Sequence, residues 1–376
     1  MSQRSVFFAT CAPGLEPMLH AEIKTLKVAR VERQVGGVRF EGGMLDAWRA
    51  NLWLRTAVRI LWRLEQFEAL DDDALYTAVR KIDWTRFVGP EGSICVSAQT
   101  RDSLLDHSRF IEQRTKDAIV DDLRDRTGAR PNVDRDSADL NIHIHIFNNR
   151  VTLSIDTSGA SLHKRGWRRY QGRAPLAETL AAGILQLSGW DQRSPLVDPF
   201  CGSGTFLVEA ALAACGRAPG SFRRFAFERL PDHDAATYAK LHEAALAAGE
   251  PRRKLRLLGM DADPERLTGA AENLEFAGVG DMIELEEADA RDFAPRPGWN
   301  AWIVTNPPYG ERVGAARQLV PIYRDFGQRL REHCSGYHLA LFSGNTDLAS
   351  ELALHDATST QLKNGALDCE LLCTDL

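Results

Sequence analysis

Hydrophobic positions change rhythm roughly midway along the chain. Up to about residue 160 they alternate over short runs, at 5–10, at 31–40 around Gly36-Gly37, and at 58–64. Ile142, Ile144 and Ile146 then interleave with His143 and His145, Asn148-Asn149 makes a tight turn, and 151–155 returns. Alternation buries one face of a strand and wets the other, so these runs predict half-buried strands, some closed into hairpins. Between them, apolar residues at helical spacing predict helices over 15–26, 44–54, 72–81 and 108–126, the last with Ser108 as its expected N-cap. His143 and His145 share a strand face, but no third ligand is evident, so a polar sheet face is expected there and not a metal site.

From Pro195 onward the pattern becomes short solid apolar runs, each followed by a helical stretch. Strands are predicted at 196–197, 255–260, 283–288, 301–305 and 338–342, with a hairpin signal at Lys363-Asn364-Gly365-Ala366. Strands of this kind alternating with helices predict a doubly wound parallel sheet. An alanine-rich helix over 174–187 precedes it, the domain boundary falls near 157–162, and the insertion at 215–254 finds no place in the pattern.

Composition narrows the class. A chain of 376 residues accommodates two or three domains, and 44% hydrophobic with 26% charged residues is the balance of an ordinary globular protein. No apolar run is long enough for a membrane helix and no signal-peptide order opens the chain, so a cytoplasmic protein without membrane attachment is expected. The seven cysteines are scattered and form no Cys-x-x-Cys pair, which argues against a disulfide framework and against a bound metal. A net charge of -6 advertises no polyanion partner, so a nucleic-acid contact has to be a local patch. One is present at 163–173, where Lys164, Arg165, Arg168, Arg169 and Arg173 surround Trp167 and Tyr170. Cations for phosphates beside aromatic rings for unpaired bases suit RNA or a single strand.

The predicted chemistry lies at the strand ends, where open parallel sheets bind their ligands. After the first strand comes Asp198-Pro199-Phe200-Cys201-Gly202-Ser203-Gly204-Thr205, a glycine loop that lets backbone approach a ligand and aims a helix N-terminus at it. It is not a phosphate loop of the Gly-Lys-Ser/Thr kind, and it lacks the full Gly-x-Gly-x-x-Gly of dinucleotide sites. A ligand with a carboxylate and an ammonium, such as the methionine end of S-adenosylmethionine, fits it better, with Asp198 for the ammonium. Asp261-Ala262 ends the next strand, where a carboxylate can accept from both ribose hydroxyls, and Asp289-Ala290 the third, placed for an adenine amino group. The fourth ends in Asn306-Pro307-Pro308-Tyr309, whose prolines hold Asn306 and Pro307 extended. The Asn306 side-chain oxygen and the Pro307 carbonyl can accept both hydrogens of a ring-conjugated amine, and Tyr309 can stack on the base that carries it.

DPFCGSGTFLVEAA, GMDAD, EEADA, TNPPYGER and KNGALDC together resemble the motifs of the THUMP-containing class I RNA methyltransferases, nearest to the bacterial 23S rRNA guanine-N2 branch of the large subunit. SVFFATCAPGLEPML, QVGGVRF, RPNVDRD and SLHKRGWRR extend the resemblance over nearly the whole chain. It implies a Rossmann-like α/β methyltransferase domain with a seven-stranded doubly wound sheet at 158–376, after an α+β ferredoxin-like region at 1–55 and a THUMP RNA-binding domain at 44–157. It also implies S-adenosylmethionine contacts by Asp198, Gly202, Gly204, Asp261 and Asp289, with Pro199, Cys201, Ser203, Thr205, Ala262, Ala290 and Asn306 beside them. Base handling falls to Asn306, Pro307, Pro308 and Tyr309. The basic stretch becomes an expected RNA contact, the partner a structured RNA such as 23S rRNA or a large-subunit assembly intermediate, and no obligate protein partner is evident. Some members carry a second methyltransferase domain after the first; this chain stops at Leu376, so the activity of that domain is expected to be missing. Adenine-N6 transfer uses the same four residues and stays open, as does a non-catalytic rRNA assembly factor, against which the intact Gly202, Gly204, Asp261 and Asn306 argue.

Overall fold

The isoleucines at 142, 144 and 146 are buried while His143 is half-buried and His145 exposed, as period-two alternation requires. A computed structural model describes residues 4–135, 137–172, 175–249, 255–294, 296, 299–310 and 315–376. Two units emerge: Met1–Thr10 with His20–Leu162 and Arg223–Glu243, and Cys11–Leu19 with His163–Phe222 and Ala244–Leu376.

The first unit is built on one eight-stranded sheet. Its strands are β1 (Ser5–Thr10), β2 (Ala29–Gln34), β3 (Gly37–Gly42), β4 (Arg59–Glu68), β5 (Ser93–Arg101), β6 (Asn132–Val133), β7 (Leu140–Phe147) and β8 (Arg150–Asp156), in the order β2-β3-β1-β4-β8-β7-β5-β6. The helices of this stretch of chain are α1 (Glu16–Thr25), α2 (Met44–Trp53), α3 (Asp72–Arg80) and α4 (Ser108–Thr127). Antiparallel pairing of β4 with β8 fuses the ferredoxin-like and THUMP regions into a single sheet. Leu75 and Val79 of α3 and Ile111, Ala118, Ile119 and Leu123 of α4 bury against Ile142, Ile144 and Ile146 to form its core. Ser108 is the first helical residue and not the cap; His107 holds the cap position without a side-chain hydrogen bond. His143 is pushed down to about 4 by burial, then by His145 and Arg59, and no metal-binding cluster occurs among the described residues.

Part of the unplaced insertion belongs to this unit as well. Phe227 stacks on Trp48 of α2 at 5.6 Å, and Tyr238 meets Phe227 and Trp48 edge-on at 5.0 and 5.8 Å. Large aromatic area packed in these orientations accounts for the return of 223–243 to the N-terminal sheet. Glu250 and 251–254 of the insertion lie outside the described residues.

The second unit carries a seven-stranded sheet. The helices that follow α4 in the chain are α5 (Glu178–Leu187), α6 (Thr205–Ala214), α7 (Ala235–Ala247), α8 (Pro264–Phe276), α9 (Ala315–His333) and α10 (Thr346–Ser350). The strands are β9 (Leu196–Asp198), β10 (Leu257–Asp261), β11 (Ile283–Glu287), β12 (Trp302–Thr305), β13 (His338–Ser343), β14 (Thr358–Asn364) and β15 (Leu367–Asp375), ordered β11-β10-β9-β12-β13-β15-β14. The first five in that order run parallel, and the 358–375 hairpin adds two antiparallel strands at the β13 edge. The core gathers Leu258, Met260, Ile303, Leu339 and Leu341 of the strands with Tyr323, Phe326 and Leu330 of α9. No helix among the described residues is long and apolar enough to cross a membrane.

Candidate active site

Sheet order turns four separate strand ends into a row. Because β11, β10, β9 and β12 are parallel neighbours, Asp289, Asp261, Asp198 and Asn306 follow one another along the same edge of the second unit. In sequence they are scattered over 109 positions; the crossovers alone align them.

A cavity of about 670 Å³ opens at β9 and β12. Asp198, Cys201, Gly202, Ser203, Thr205, Asn306, Pro307, Pro308 and Tyr309 line it together with Tyr170, Pro175, Leu176, Phe200 and Arg266. Asp261 stands behind it, its Oδ2 accepting from the Gly202 N–H at 3.0 Å and its Oδ1 from the Asp263 N–H at 3.0 Å. The second strand end thus shapes the loop of the first. Asp289 does not line this cavity: its carboxylate holds Arg291 at 2.6 Å, the main reason it is kept below the usual carboxylate range. Pro199, Gly204, Ala262 and Ala290 are likewise outside the lining. Gly204 begins α6 at φ +76°, and a Cβ there would stand 3.0 Å from Leu274. Gly202 has φ +53°, and its missing Cβ would meet no atom within 4 Å. Both loop glycines therefore serve left-handed backbone, and Gly204 also a close approach.

Asp198 is the most strongly perturbed carboxyl of the cavity. Burial pushes it up to about 7, against hydrogen bonds from Thr305 Oγ1 at 2.7 Å and the Phe200 N–H at 3.2 Å, and the Asp261 charge adds to the rise. Burial also drives the Cys201 thiol well up, so it stays an uncharged lining group. Thr305 directly precedes Asn306, so the acid of one strand end is tied to the amide of the next. Asn306 Oδ1 is shielded from solvent and has no hydrogen-bond partner among the described residues. A buried acceptor left unsatisfied costs about 1–3 kcal/mol, and such groups concentrate where a ligand completes them. Tyr323 Oη donates to the Pro308 carbonyl at 3.1 Å and Gly344 leaves room for the Tyr309 ring, so the proline pair and the tyrosine are held from both sides.

The basic stretch is corrected by the structure. Arg165 is buried and paired with the buried Glu209 of α6 at 3.2 Å, and Trp167 is buried too, so neither can meet a phosphate or stack on a base. Arg168 turns inward to Glu178 and the glycine loop. The reason is local: Asn273 of α8, fully buried, accepts from the Arg169 and Tyr170 N–H groups at 2.7 and 2.9 Å and donates to the Tyr170 and Ser203 carbonyls, both at 3.0 Å. Gly269 leaves the space that the Tyr170 ring fills. The segment is a strap stitched onto α8 of the second unit. Lys164 and Arg169 alone of the named cations are exposed, Arg169 lying over the Phe276 ring at 4.3 Å; Arg173 lies outside the described residues, as do Glu311 and Arg312. Tyr170, Pro175, Leu176, Phe200, Phe206 and Arg266 are among the site residues that sequence reasoning misses. Tyr170 is visible there, but as a base-stacking ring among cations.

The donor set fits S-adenosylmethionine on the structure's own terms. A buried carboxylate, a glycine loop at a helix N-terminus, apolar walls from Leu176 and Phe206, and an unsatisfied amide oxygen converge on one cavity.

Comparison with known proteins places this geometry in a family. Residues 6–61 match the RlmL ferredoxin-like domain, 69–156 the THUMP domain and 165–372 the RMKL-like methyltransferase domain. A relative named ribosomal RNA large subunit methyltransferase K/L, from Pseudomonas paraeruginosa strain PA7, is 40% identical over 97% of this chain and 52% of its own length. The chain thus spans about half the length of the curated relatives it matches. A crystal structure of a putative methyltransferase complexed with SAH superposes with TM-score 0.90 at 29% identity, covering 100% of this chain and 99% of the other. A predicted N6-adenine-specific DNA methylase from Listeria monocytogenes gives 0.89 at 29%, covering 99% and 96%. Since the methyltransferase match alone takes in more than half of its residues, the chain belongs to the RMKL-like methyltransferase family.

Proposed function

We propose that this protein methylates the exocyclic N2 amine of a guanine in 23S rRNA, with S-adenosylmethionine as donor. The observation that carries the reading is the unpartnered, solvent-shielded oxygen of Asn306 in the same cavity as Asp198 and the glycine loop. When bound, the cofactor supplies a methyl group on a sulfonium, an electrophile strong enough that no metal or nucleophilic side chain is required. Asp198 would hold its ammonium, the 201–205 loop its carboxylate and Asp261 its ribose hydroxyls, while Asp289, outside the cavity lining and paired with Arg291, would have to release that arginine to take the adenine amino group. Asn306 Oδ1 and the Pro307 carbonyl accept the two hydrogens of the target amine. That pair of bonds localises the lone pair on nitrogen and orients it, which is catalysis by position and electrostatics. The proton leaves after transfer, so a strong general base has no task.

RNA as the source of the amine is supported by the THUMP match over 69–156 and by the name that the Pseudomonas relative carries. An amine inside a duplex has to be extruded to reach Asn306, and Tyr309 is the ring assigned to the displaced base. The Listeria neighbour's description favours a second reading, adenine N6, because the same two acceptors serve either amine. Mass spectrometry of nucleosides from ribosomal RNA, with and without the gene, separates these. Loss of N2-methylguanosine at one site is the expected result, loss of N6-methyladenosine supports the second reading, and no loss leaves a non-catalytic assembly factor.

A further inference from the structure

Arg168 does not line the cavity, yet it is tied to three residues that do, Leu176, Ser203 and Thr205. Its Nε donates to Glu178 Oε1 at 2.8 Å, one terminal nitrogen to Ser203 Oγ at 3.2 Å, and the other to Thr205 Oγ1 at 2.9 Å and the Leu176 carbonyl at 3.0 Å. Glu178 is the first residue of α5 and Thr205 the first of α6. The N-terminus of a helix is the positive end of its dipole, so a guanidinium held against two of them sits where a cation is least welcome. Buried Glu178 offsets part of that cost. A site that breaks a local rule in this way is expected to serve a ligand.

A guanidinium only donates, so at both hydroxyls it occupies an oxygen lone pair and leaves the hydrogen. Ser203 Oγ and Thr205 Oγ1 are 3.2 Å apart, and one hydrogen closes that contact. The other remains, on residues that line the cavity. The loop thereby offers a hydroxyl donor, the α6 N-terminus and a nearby positive charge, all suited to an anionic acceptor.

We propose that Arg168 is a positioning residue that sets the Ser203–Thr205 pair to donate to the carboxylate at the amino-acid end of the cofactor. The inference rests on the reading that the glycine loop takes that end. It is tested with the full chain by calorimetric titration of two ligands: S-adenosylhomocysteine, which has the carboxylate and ammonium, and 5′-methylthioadenosine, which lacks both. Arg168→Met is expected to weaken the first about tenfold or more, the worth of a charge-assisted hydrogen bond, and the second by less than about twofold. Arg168→Lys keeps the charge without the fork and should fall between. Should Arg168→Met fail to fold, the Ser203→Ala/Thr205→Val double variant removes the two hydroxyls and is expected to show the same selectivity. Equal loss for both ligands would make Arg168 a support of the cavity wall only, and no loss for either would remove it from binding; each overturns the proposal. Asp198→Asn keeps the two failures apart. If the wild type does not prefer S-adenosylhomocysteine, the cofactor reading itself falls; if Asp198→Asn erases a preference that Arg168→Met leaves intact, only the role of Arg168 falls.

Discussion

The strand-end row and the 163–172 strap both belong to the second unit, and they use charge in opposite ways. Asp198 and Asn306 bring their polar groups to a shared cavity, and Asp261 orders the loop between them. Arg165 and Arg168 turn theirs inward, onto Glu209 and Glu178, and become scaffold. The residue types alone do not separate the cases. What separates them is topology: a parallel sheet dictates where a strand end goes, whereas nothing in a basic, aromatic stretch dictates which way it faces.

That contrast can be broken at several points. The largest effect is expected at the buried pair. Glu209→Ala leaves the buried Arg165 charged without its carboxylate and should destabilise the fold by about 3–5 kcal/mol, measured by urea unfolding, while the Arg165→Met/Glu209→Leu double variant should recover most of it. A loss under about 1 kcal/mol for Glu209→Ala, the scale of an exposed pair, would mean that the strap is not scaffold.

Asp198 comes next. Its carboxyl is raised from 3.8 to about 7 in the folded protein, so its contribution to stability is complete below 3.8 and is lost as pH rises to 7. Asp198→Asn keeps an acceptor for Thr305 without the titration. Relative to wild type it should gain up to about 4 kcal/mol between pH 4 and pH 8, at ~1.4 kcal/mol per pH unit, while losing cofactor affinity. Parallel pH profiles of the two proteins would show instead that Asp198 is ionised and satisfied before any ligand arrives.

Asn306→Ala should lower methyl transfer by about 10²–10³, the scale for removing one preorganised hydrogen-bonding group, and leave S-adenosylhomocysteine affinity within a few-fold. Wild-type turnover would take the amide out of the chemistry. The smallest effect belongs to the strap's exposed cations. Replacing Lys164 and Arg169 with Ala should make the salt dependence of RNA binding shallower by roughly 0.7–0.9 in log–log slope for each phosphate that is no longer neutralised. An unchanged slope would assign the whole strap to structure.

Legibility follows the same division. The five parallel strands, the acidic ends of three of them and the closing hairpin are readable because solid apolar runs, punctuating glycines and the strand-end rule act locally. The 19-residue helix α9, with Pro321 inside it, escapes a reading by pattern, since a proline argues against a helix until tertiary packing of Tyr323 and Phe326 overrides it. The strap is legible only as composition, and composition cannot see Asn273 some hundred residues away gripping its backbone. The 223–243 return is illegible for the same reason: its partner, Trp48, is far upstream.

The exchange of segments between the two units has a consequence for synthesis. The first unit needs Arg223–Glu243 and the second needs Cys11–Leu19, where Gly14 lies so close to the Gln361 carbonyl that a Cβ would come within 2.7 Å. A ribosome making this chain therefore cannot finish the first unit before starting the second. Trp48 waits for Phe227 until more than half of the chain has emerged, and the 11–19 segment waits for Gln361 almost to the end. At roughly 5–20 residues per second those intervals last from many seconds to about a minute, with apolar surface uncovered throughout.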